Sequence, residues 1–258
     1  MKKFAVIVAG GVGSRMGNQV PKQFLLLRGQ PVLWHTLKVF LQAYEDLAII
    51  LVLPEEHLEK GRAVADALAQ AGAAATPVGA HADEVAVRII IVTGGDSRFH
   101  SVQNGLREVE RRLSADRGAK QATGDGGEDA VIFVHDGVRC LLTPGLVQRC
   151  CEQAMRLGSA IPVVECKDSV RVVKADGSGG SEVLDRGWVR LVQTPQTFLA
   201  NILLPAFQTK YNERFTDEAT VVEAAGQPVH LVEGEAFNIK ITLPVDLVVA
   251  EQVLRERE

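Results

Sequence analysis

Five short apolar runs, at residues 4–9, 47–53, 87–93, 130–135 and 159–164, alternate along this chain with segments of helical period. Runs of this length bounded by turn-forming residues read as strands, and strands that alternate with helices predict a mostly parallel sheet with crossover helices, an α/β fold. Between residues 97 and 113, Phe99, Val102, Leu106, Val109 and Leu113 recur at intervals of three and four. That is one apolar stripe laid against the sheet, with a charged face toward water. Thr143 followed by Pro144 supplies an N-cap and a preset first helical residue for a helix that runs to Gly158.

With 258 residues and 47% hydrophobic content, the chain has ample material for a core, and it is read as a single domain over 1–258. None of the apolar runs approaches the ~20 residues needed to span a bilayer, and the N-terminus lacks a signal-peptide core. The expected location is the cytoplasm, with no membrane partner. Cysteines at 140, 150, 151 and 166 form no C-x-x-C pair and have no histidine at ligand spacing, which argues against a zinc site or a disulfide framework. A net charge of −4 removes any general expectation of nucleic-acid binding, which wants a basic face.

The charge is unevenly placed. Six Lys and Arg residues precede the first acidic residue, Glu45. The first strand runs into VAGGVGSRMGNQVPKQF, a glycine-rich loop carrying Arg15 and Lys22. Glycines at 10, 11, 13 and 17 let the backbone lie close to a ligand, and amides with two cations offer charge-assisted donors to a polyanion. A dinucleotide fingerprint fails here because Met16 stands at the third glycine position and no acid follows at the required distance; a P-loop fails because Asn18 follows Gly17.

In an open parallel sheet the ligand sits at the carboxyl ends of the strands. Besides residues 10–22, three segments are candidates for that edge: Gly94-Gly95-Asp96-Ser97-Arg98 leading to Ser101, Asp136-Gly137-Val138-Arg139, and Asn238-Ile239-Lys240-Ile241-Thr242. Each residue has a plainer use, Asp96 as a helix cap, Asp136 in an Asx turn, Lys240 as an exposed strand cation. Charged groups at several neighbouring strand ends favour a site. Residues 72–83 and 114–129 read as surface loops. Residues 165–192 read as a projecting β-hairpin, with 170–173 and 189–192 flanking the flexible ADGSGGSE. Its apolar Val170, Val172, Trp188, Val189 and Leu191 suggest a dimerisation arm.

AGGVGSRMG…PKQF, GGDSR…S, HDGVR, TPQTF, TDEA and NIKIT, in this order over nearly the whole chain, resemble the 2-C-methyl-D-erythritol 4-phosphate cytidylyltransferase family. The resemblance implies a Rossmann-like nucleotidyltransferase, a homodimer joined by the 165–192 arm, and Mg²⁺-dependent transfer of a cytidylyl group from CTP to a sugar-alcohol phosphate in non-mevalonate isoprenoid synthesis. Carried over residue by residue, Ala9, Gly10, Gly11, Gly95, Asp96, Ser101 and Arg139 match CTP-binding positions. Arg15, Lys22 and Lys240 match the catalytic phosphate clamp. Asp136, Arg139, Ser169, Arg186, Thr194 and Thr216 match the substrate pocket, with Ser169 and Arg186 serving the neighbouring subunit's site. The chain departs from the family pattern at Ser169 in place of threonine, at Cys140 in place of proline, and at Phe237 before the NIK segment.

The chemistry agrees. A substrate phosphate oxygen is already an anionic nucleophile, so no triad is needed, and the task is to bring two polyanions together and stabilise leaving pyrophosphate. The metal is left mainly to triphosphate oxygens. The runner-up is a ribitol 5-phosphate cytidylyltransferase, but Asp168-Ser169, Asp185-Arg186 and Thr216-Asp217-Glu218 sit closer to the methylerythritol phosphate pattern. A silent nucleotide-binding protein is opposed by the intact Arg15, Lys22 and Lys240.

Overall fold

A computed structural model describes residues 1–11, 20–75, 88–121, 130–175, 177 and 179–257. Its elements, in chain order, begin with β1 (Lys2–Val8), the short pair β2 (Leu26–Leu27) and β3 (Gln30–Pro31), α1 (Val32–Ala43), β4 (Leu47–Leu53) and α2 (Leu58–Ala75). There follow β5 (Ile89–Thr93), α3 (Arg98–Gln121), β6 (Ala130–Asp136), α4 (Pro144–Leu157) and β7 (Ser159–Glu165). The C-terminal third holds β8 (Val170–Val173), β9 (Ser181–Leu184), β10 (Arg190–Val192), β11 (Gln196–Leu199), α5 (Ala200–Ala206), α6 (Glu218–Ala224), β12 (Leu231–Glu233) and α7 (Pro244–Glu256).

Among the described residues, eight strands form the main sheet. β1 pairs in parallel with β4 and β6, and β4 with β5, so that Val8 stands level with Val52 and Asp136. β11 inserts antiparallel between β6 and β7, β10 also runs antiparallel to β7, and β12 is parallel to β7. The sheet is therefore mostly parallel and mixed at one end.

Period-two alternation splits the strand side chains between two layers. Ala5, Ile7, Ile49, Leu51, Val131 and Phe133 pack with α1, α2 and α4 on one face. Phe4, Val6, Val8, Ile50, Val52, Ile132 and Val134 pack with α3, α5 and α6 on the other. The predicted stripe of α3, from Phe99 to Leu113, is buried whole in this second layer. Each such side chain contributes ~1.5–3 kcal/mol through burial, and truncating the fully buried Phe133 to alanine would cost ~3–5 kcal/mol. Thr143 caps α4 by accepting from the Leu146 N–H, and Gly158 ends it at φ 89°, as the Thr-Pro and Gly signals predict.

The structure corrects the sequence reading in three places. The expected loops at 72–83 and 114–129 begin as helix: α2 reaches Ala75 and α3 reaches Gln121, because alanine and long polar residues hold a helix without an apolar period. Residues 76–87 and 122–129 lie outside the described residues. The arm is not closed by pairing 170–173 with 189–192. β8 pairs with β9, Val170 opposite Leu184, while β10 returns to β7 in the main sheet. Both are short β-branched runs, and local composition does not choose between two partners that satisfy the same backbone groups. Finally, Lys240 lies in irregular backbone before α7 rather than on a strand.

Candidate active site

The carboxyl ends of β1, β4, β5 and β6 open on one edge of the sheet. Backbone bonds tie the turns together there, from Ala9 N–H to Val52 O at 3.0 Å, Gly94 N–H to Leu53 O at 2.8 Å, and Gly137 N–H to Val8 O at 2.9 Å. A cavity of about 520 Å³ sits over them, lined by Ala9, Gly10, Gly11, Lys22, Gly95, Asp96, Ser101, Asp136 and Lys240 among other residues. Nine residues drawn from separate motifs thus share one concave surface.

Local chemistry shapes each wall. Ser101 Oγ accepts from the Gly95 N–H at 3.1 Å, fastening the turn after β5 to the first turn of α3. A Cβ on Gly95 would stand 2.6 Å from His100 Cβ, so only glycine fits that close approach. Gln23, almost wholly buried, donates Nε2–H to Ala9 O at 2.8 Å, which pins the Lys22 segment to the end of β1. The Lys22 side chain then lies across Gly11, its Cε 3.4 Å from where a Cβ would be. Arg15 belongs to residues 12–19, which lie outside the described residues.

Asp136 is the electrostatic centre. Its Oδ2 receives Lys240 Nζ at 2.8 Å and lies 3.7 Å from Arg139 Nε, while Oδ1 receives Arg98 at 3.3 Å. Burial works against the charged carboxylate, but Arg98, Lys240 and Arg139 outweigh it and hold the Asp136 pKa well below the usual carboxylate range.

His135, next in the strand, is fully buried, and burial lowers its pKa to about 3 against the pull of Asp136. The imidazole is therefore neutral and carries one N–H. Its Nε2 lies 3.2 Å from Arg139 O, a carbonyl that can only accept, so Nε2 is the donor and Nδ1 accepts from the Thr194 hydroxyl at 3.0 Å. Thr194 Oγ1 in turn accepts from the Asp136 N–H at 3.1 Å. One chain of bonds therefore fixes both ends of the Asp136–Arg139 turn.

The remaining expected residues do not line this cavity. Thr194 is buried beneath Asp136 with its hydroxyl engaged as just described. Arg139 spans outward, donating to Asn238 O at 2.8 Å and Val192 O at 3.4 Å, and so ties the Lys240 segment to β10. Ser169 and Arg186 are exposed on the arm, where Arg186 Nη1 donates to Lys167 O at 2.5 Å. Thr216 is exposed just before α6. Cys140, at the departure from the family's proline, is buried among Val32, Val138, Leu141 and Ile241, and burial pushes its thiol up to about 12.

Two residues that the motifs contain but leave without a role are Arg98, of GGDSR, and Glu218, of TDEA. Arg98 lines the cavity, and Glu218, 1% exposed, accepts from Arg98 Nη1 at 2.5 Å and Nη2 at 3.1 Å. Burial pushes the Glu218 carboxyl up and Arg98 pulls it back. Each oxygen accepts its own N–H, the two-pronged geometry of a carboxylate with a guanidinium. No spacing rule could have joined them, since they stand 120 residues apart.

Among the described residues no group of three or more His, Cys, Asp and Glu is gathered as a metal cage. The carboxylates facing the cavity besides Asp136 are Glu55 and Asp96. One or two carboxylates facing a polyphosphate fit Mg²⁺, which keeps several waters and takes most of its ligands from phosphate oxygens.

A mostly parallel sheet whose strand ends carry glycine turns and a cation-bound carboxylate, with Lys22 and Lys240 beside them around one cavity, has the form of a nucleotide-binding α/β protein suited to phosphate chemistry. The sequence matches the 2-C-methyl-D-erythritol 4-phosphate cytidylyltransferase family over residues 4–256. Relatives of that name from Bacteroides thetaiotaomicron and Bacteroides fragilis are 39% and 40% identical over 254 residues, covering 98% of this chain and 100% of theirs. The crystal structure of 2-C-methyl-D-erythritol 4-phosphate cytidylyltransferase from Thermus thermophilus is 30% identical, with a TM-score of 0.64 and coverage of 99% of this chain and 100% of that one. The chain belongs to the 2-C-methyl-D-erythritol 4-phosphate cytidylyltransferase family.

Proposed function

We propose that this enzyme transfers the cytidylyl group of CTP to 2-C-methyl-D-erythritol 4-phosphate, a step of isoprenoid precursor synthesis. An oxygen of the sugar-alcohol phosphate attacks the α-phosphorus of CTP, a new P–O bond forms, and the bond to the bridging oxygen of the β-phosphate breaks as pyrophosphate leaves. The observation that carries this reading is that Lys22 and Lys240, from opposite ends of the sequence, line one cavity together with the Gly10, Gly11 and Gly95 turns.

In that reading Ala9, Gly10, Gly11, Gly95, Asp96 and Ser101 receive the base and ribose. Lys22, with Arg15, meets the triphosphate. Lys240 meets phosphate while Asp136 orients the sugar alcohol. Arg139 holds the loop that carries Lys240, and Thr194 holds Asp136. A bound Mg²⁺ would supply charge neutralisation among the triphosphate oxygens, and Asp96 and Glu55 are the cavity-lining carboxylates that would help to hold it. Cations placed before reaction begins cost no reorganisation when charge develops on the leaving group.

The functional unit we propose is a homodimer. The arm exposes Val172, Val173, Val183, Leu184 and Trp188, the last at 86%, an apolar surface of the kind that marks an interface, and Ser169 and Arg186 would then serve the partner's site. Free thiols at Cys140, Cys150, Cys151 and Cys166 suit the reducing cytoplasm. No helix among the described residues is long and apolar enough to cross a membrane.

The test is pyrophosphate release with CTP and Mg²⁺, run with 2-C-methyl-D-erythritol 4-phosphate and with ribitol 5-phosphate. Faster turnover of the former is expected. Preference for ribitol 5-phosphate would overturn the substrate assignment and leave the cytidylyl chemistry standing.

A further inference from the structure

Glu218 lies outside the cavity lining and is 1% exposed, so it does not touch a ligand bound there. Its partner does border the cavity. Arg98 grips Glu218 with Nη1 and Nη2 and turns its other edge, Nε and Nη2, to Asp136 Oδ1, both at 3.3 Å. The other oxygen of Asp136 meets Lys240 at 2.8 Å, with Arg139 Nε farther off at 3.7 Å. Three cations and two carboxylates thus form one group, and Glu218 supplies the charge that keeps Arg98 from drawing on Asp136 alone.

Stability does not account for this arrangement, because a buried ion pair replaced by apolar residues of similar volume is often no less stable. Placement does. A guanidinium is planar and rigid, so fixing its Nη1–Nη2 edge on Glu218 also fixes its Nε–Nη2 edge, and with it the place of Asp136 Oδ1. Both ends of the bridge are also held by ring packing. Phe99, the residue after Arg98, stacks on Phe207 at 5.0 Å and on Phe215 at 5.7 Å, which joins the start of α3 to the segment leading into α6.

We infer that Glu218, acting through Arg98, is a positioning residue that divides the two oxygens of Asp136 between a fixed cation and Lys240, and so sets where Lys240 meets the substrate's phosphate. This rests on the assignment of Lys240 to phosphate. Without the Glu218 charge, Arg98 carries an unbalanced positive charge against Asp136, competes with Lys240 for the carboxylate, and shifts both.

The experiment compares Glu218→Gln, Glu218→Asp and Lys240→Ala by calorimetric CTP binding, by thermal melting and by steady-state kinetics with 2-C-methyl-D-erythritol 4-phosphate. Glu218→Gln is expected to lower kcat about 10- to 100-fold and raise the sugar-phosphate KM about tenfold, the scale of a misplaced group, while the CTP dissociation constant stays within about threefold. Glu218→Asp, which keeps the charge, recovers part of the loss. Wild-type kinetics in a folded Glu218→Gln overturns the inference while an impaired Lys240→Ala leaves the clamp standing; wild-type kinetics in Lys240→Ala sinks the clamp itself. The paired replacement Arg98→Met with Glu218→Leu removes both charges and decides the matter where a single variant does not fold. Kinetics restored along with stability would make the bridge purely structural; a stable protein that remains impaired supports positioning.

Discussion

Lys240 Nζ stands 2.8 Å from Asp136 Oδ2 with 40% of the lysine side chain still exposed. A phosphate that reaches this lysine therefore competes with an internal carboxylate for it, while Arg98 and Arg139 keep Asp136 ionised. The lysine is partly solvated while its carboxylate partner is buried, so a phosphate would approach the pair from the lysine side.

Replacing Lys22, Arg15 or Lys240 by alanine should leave the fold intact, since Lys22 and Lys240 contribute no side chain to the buried layers and Arg15 belongs to a glycine-rich loop segment. Each should lower kcat by ~10²–10³, the scale for one transition-state donor. Turnover at saturating CTP, with circular dichroism to verify folding, checks this. Wild-type turnover in folded variants would remove the clamp assignment.

His135 ties part of the protein's stability to pH. Its folded pKa is depressed to about 3 by burial, below the 6.5 of an unperturbed imidazole, so the unfolded chain binds a proton that the folded chain refuses. The contribution is fully present above pH 6.5 and is lost as pH falls toward 3, at about 1.4 kcal/mol per pH unit once well below the unfolded value. Melting curves between pH 7 and 4 should fall less steeply for His135→Asn than for the native chain. Equal slopes would show that the imidazole is not held neutral.

Subunits carrying Arg186→Ala and subunits carrying Lys22→Ala, each poorly active alone, should regain part of their activity when mixed, because one composite site in the heterodimer is then intact. Arg186 is exposed on an arm rich in uncovered valines, which motivates the test. Subunit exchange without any return of activity would refute a shared site.

Thr216→Val should erode the preference for 2-C-methyl-D-erythritol 4-phosphate over ribitol 5-phosphate. The residue stands immediately before the Asp217 cap of α6, two positions from Glu218, whose carboxylate meets the cavity-lining Arg98. A site that bonds particular hydroxyls can reject an analogue by up to ~10⁴, whereas an added methyl contributes a shape term of only ~1–3 kcal/mol. The ratio of kcat/KM values for the two substrates reads this directly, and an unchanged ratio would place specificity elsewhere.

Much of the architecture was legible before any coordinates. The runs at 47–53 and 130–135 coincide with β4 and all but the last residue of β6, and the stripe from Phe99 to Leu113 and the Thr143-Pro144 start of α4 fall where they were expected. These signals are local: a strand or helix that buries one face records its period in its own side chains, whatever it packs against. The motifs likewise identified most of the cavity lining, because a backbone that must approach phosphate needs glycine at fixed places.

What the tertiary structure alone decided are the choices among distant partners. β11, four residues long, carries too short a pattern to announce that it runs antiparallel between β6 and β7, and β8 could have paired with 189–192 on composition alone. That the Thr194 hydroxyl meets the Asp136 N–H and His135 Nδ1 is likewise a product of folding. The bridge from Glu218 through Arg98 to Asp136 exists only once α3 and α6 lie on one face of the sheet. The sequence by itself determined which side chains of a strand or helix share an apolar face and where a glycine-rich turn follows the first strand, because period and backbone freedom are local properties. Which charges face one another was decided by the packed fold, because desolvation and distance set the strength of an ion pair and neither is written in the order of residues.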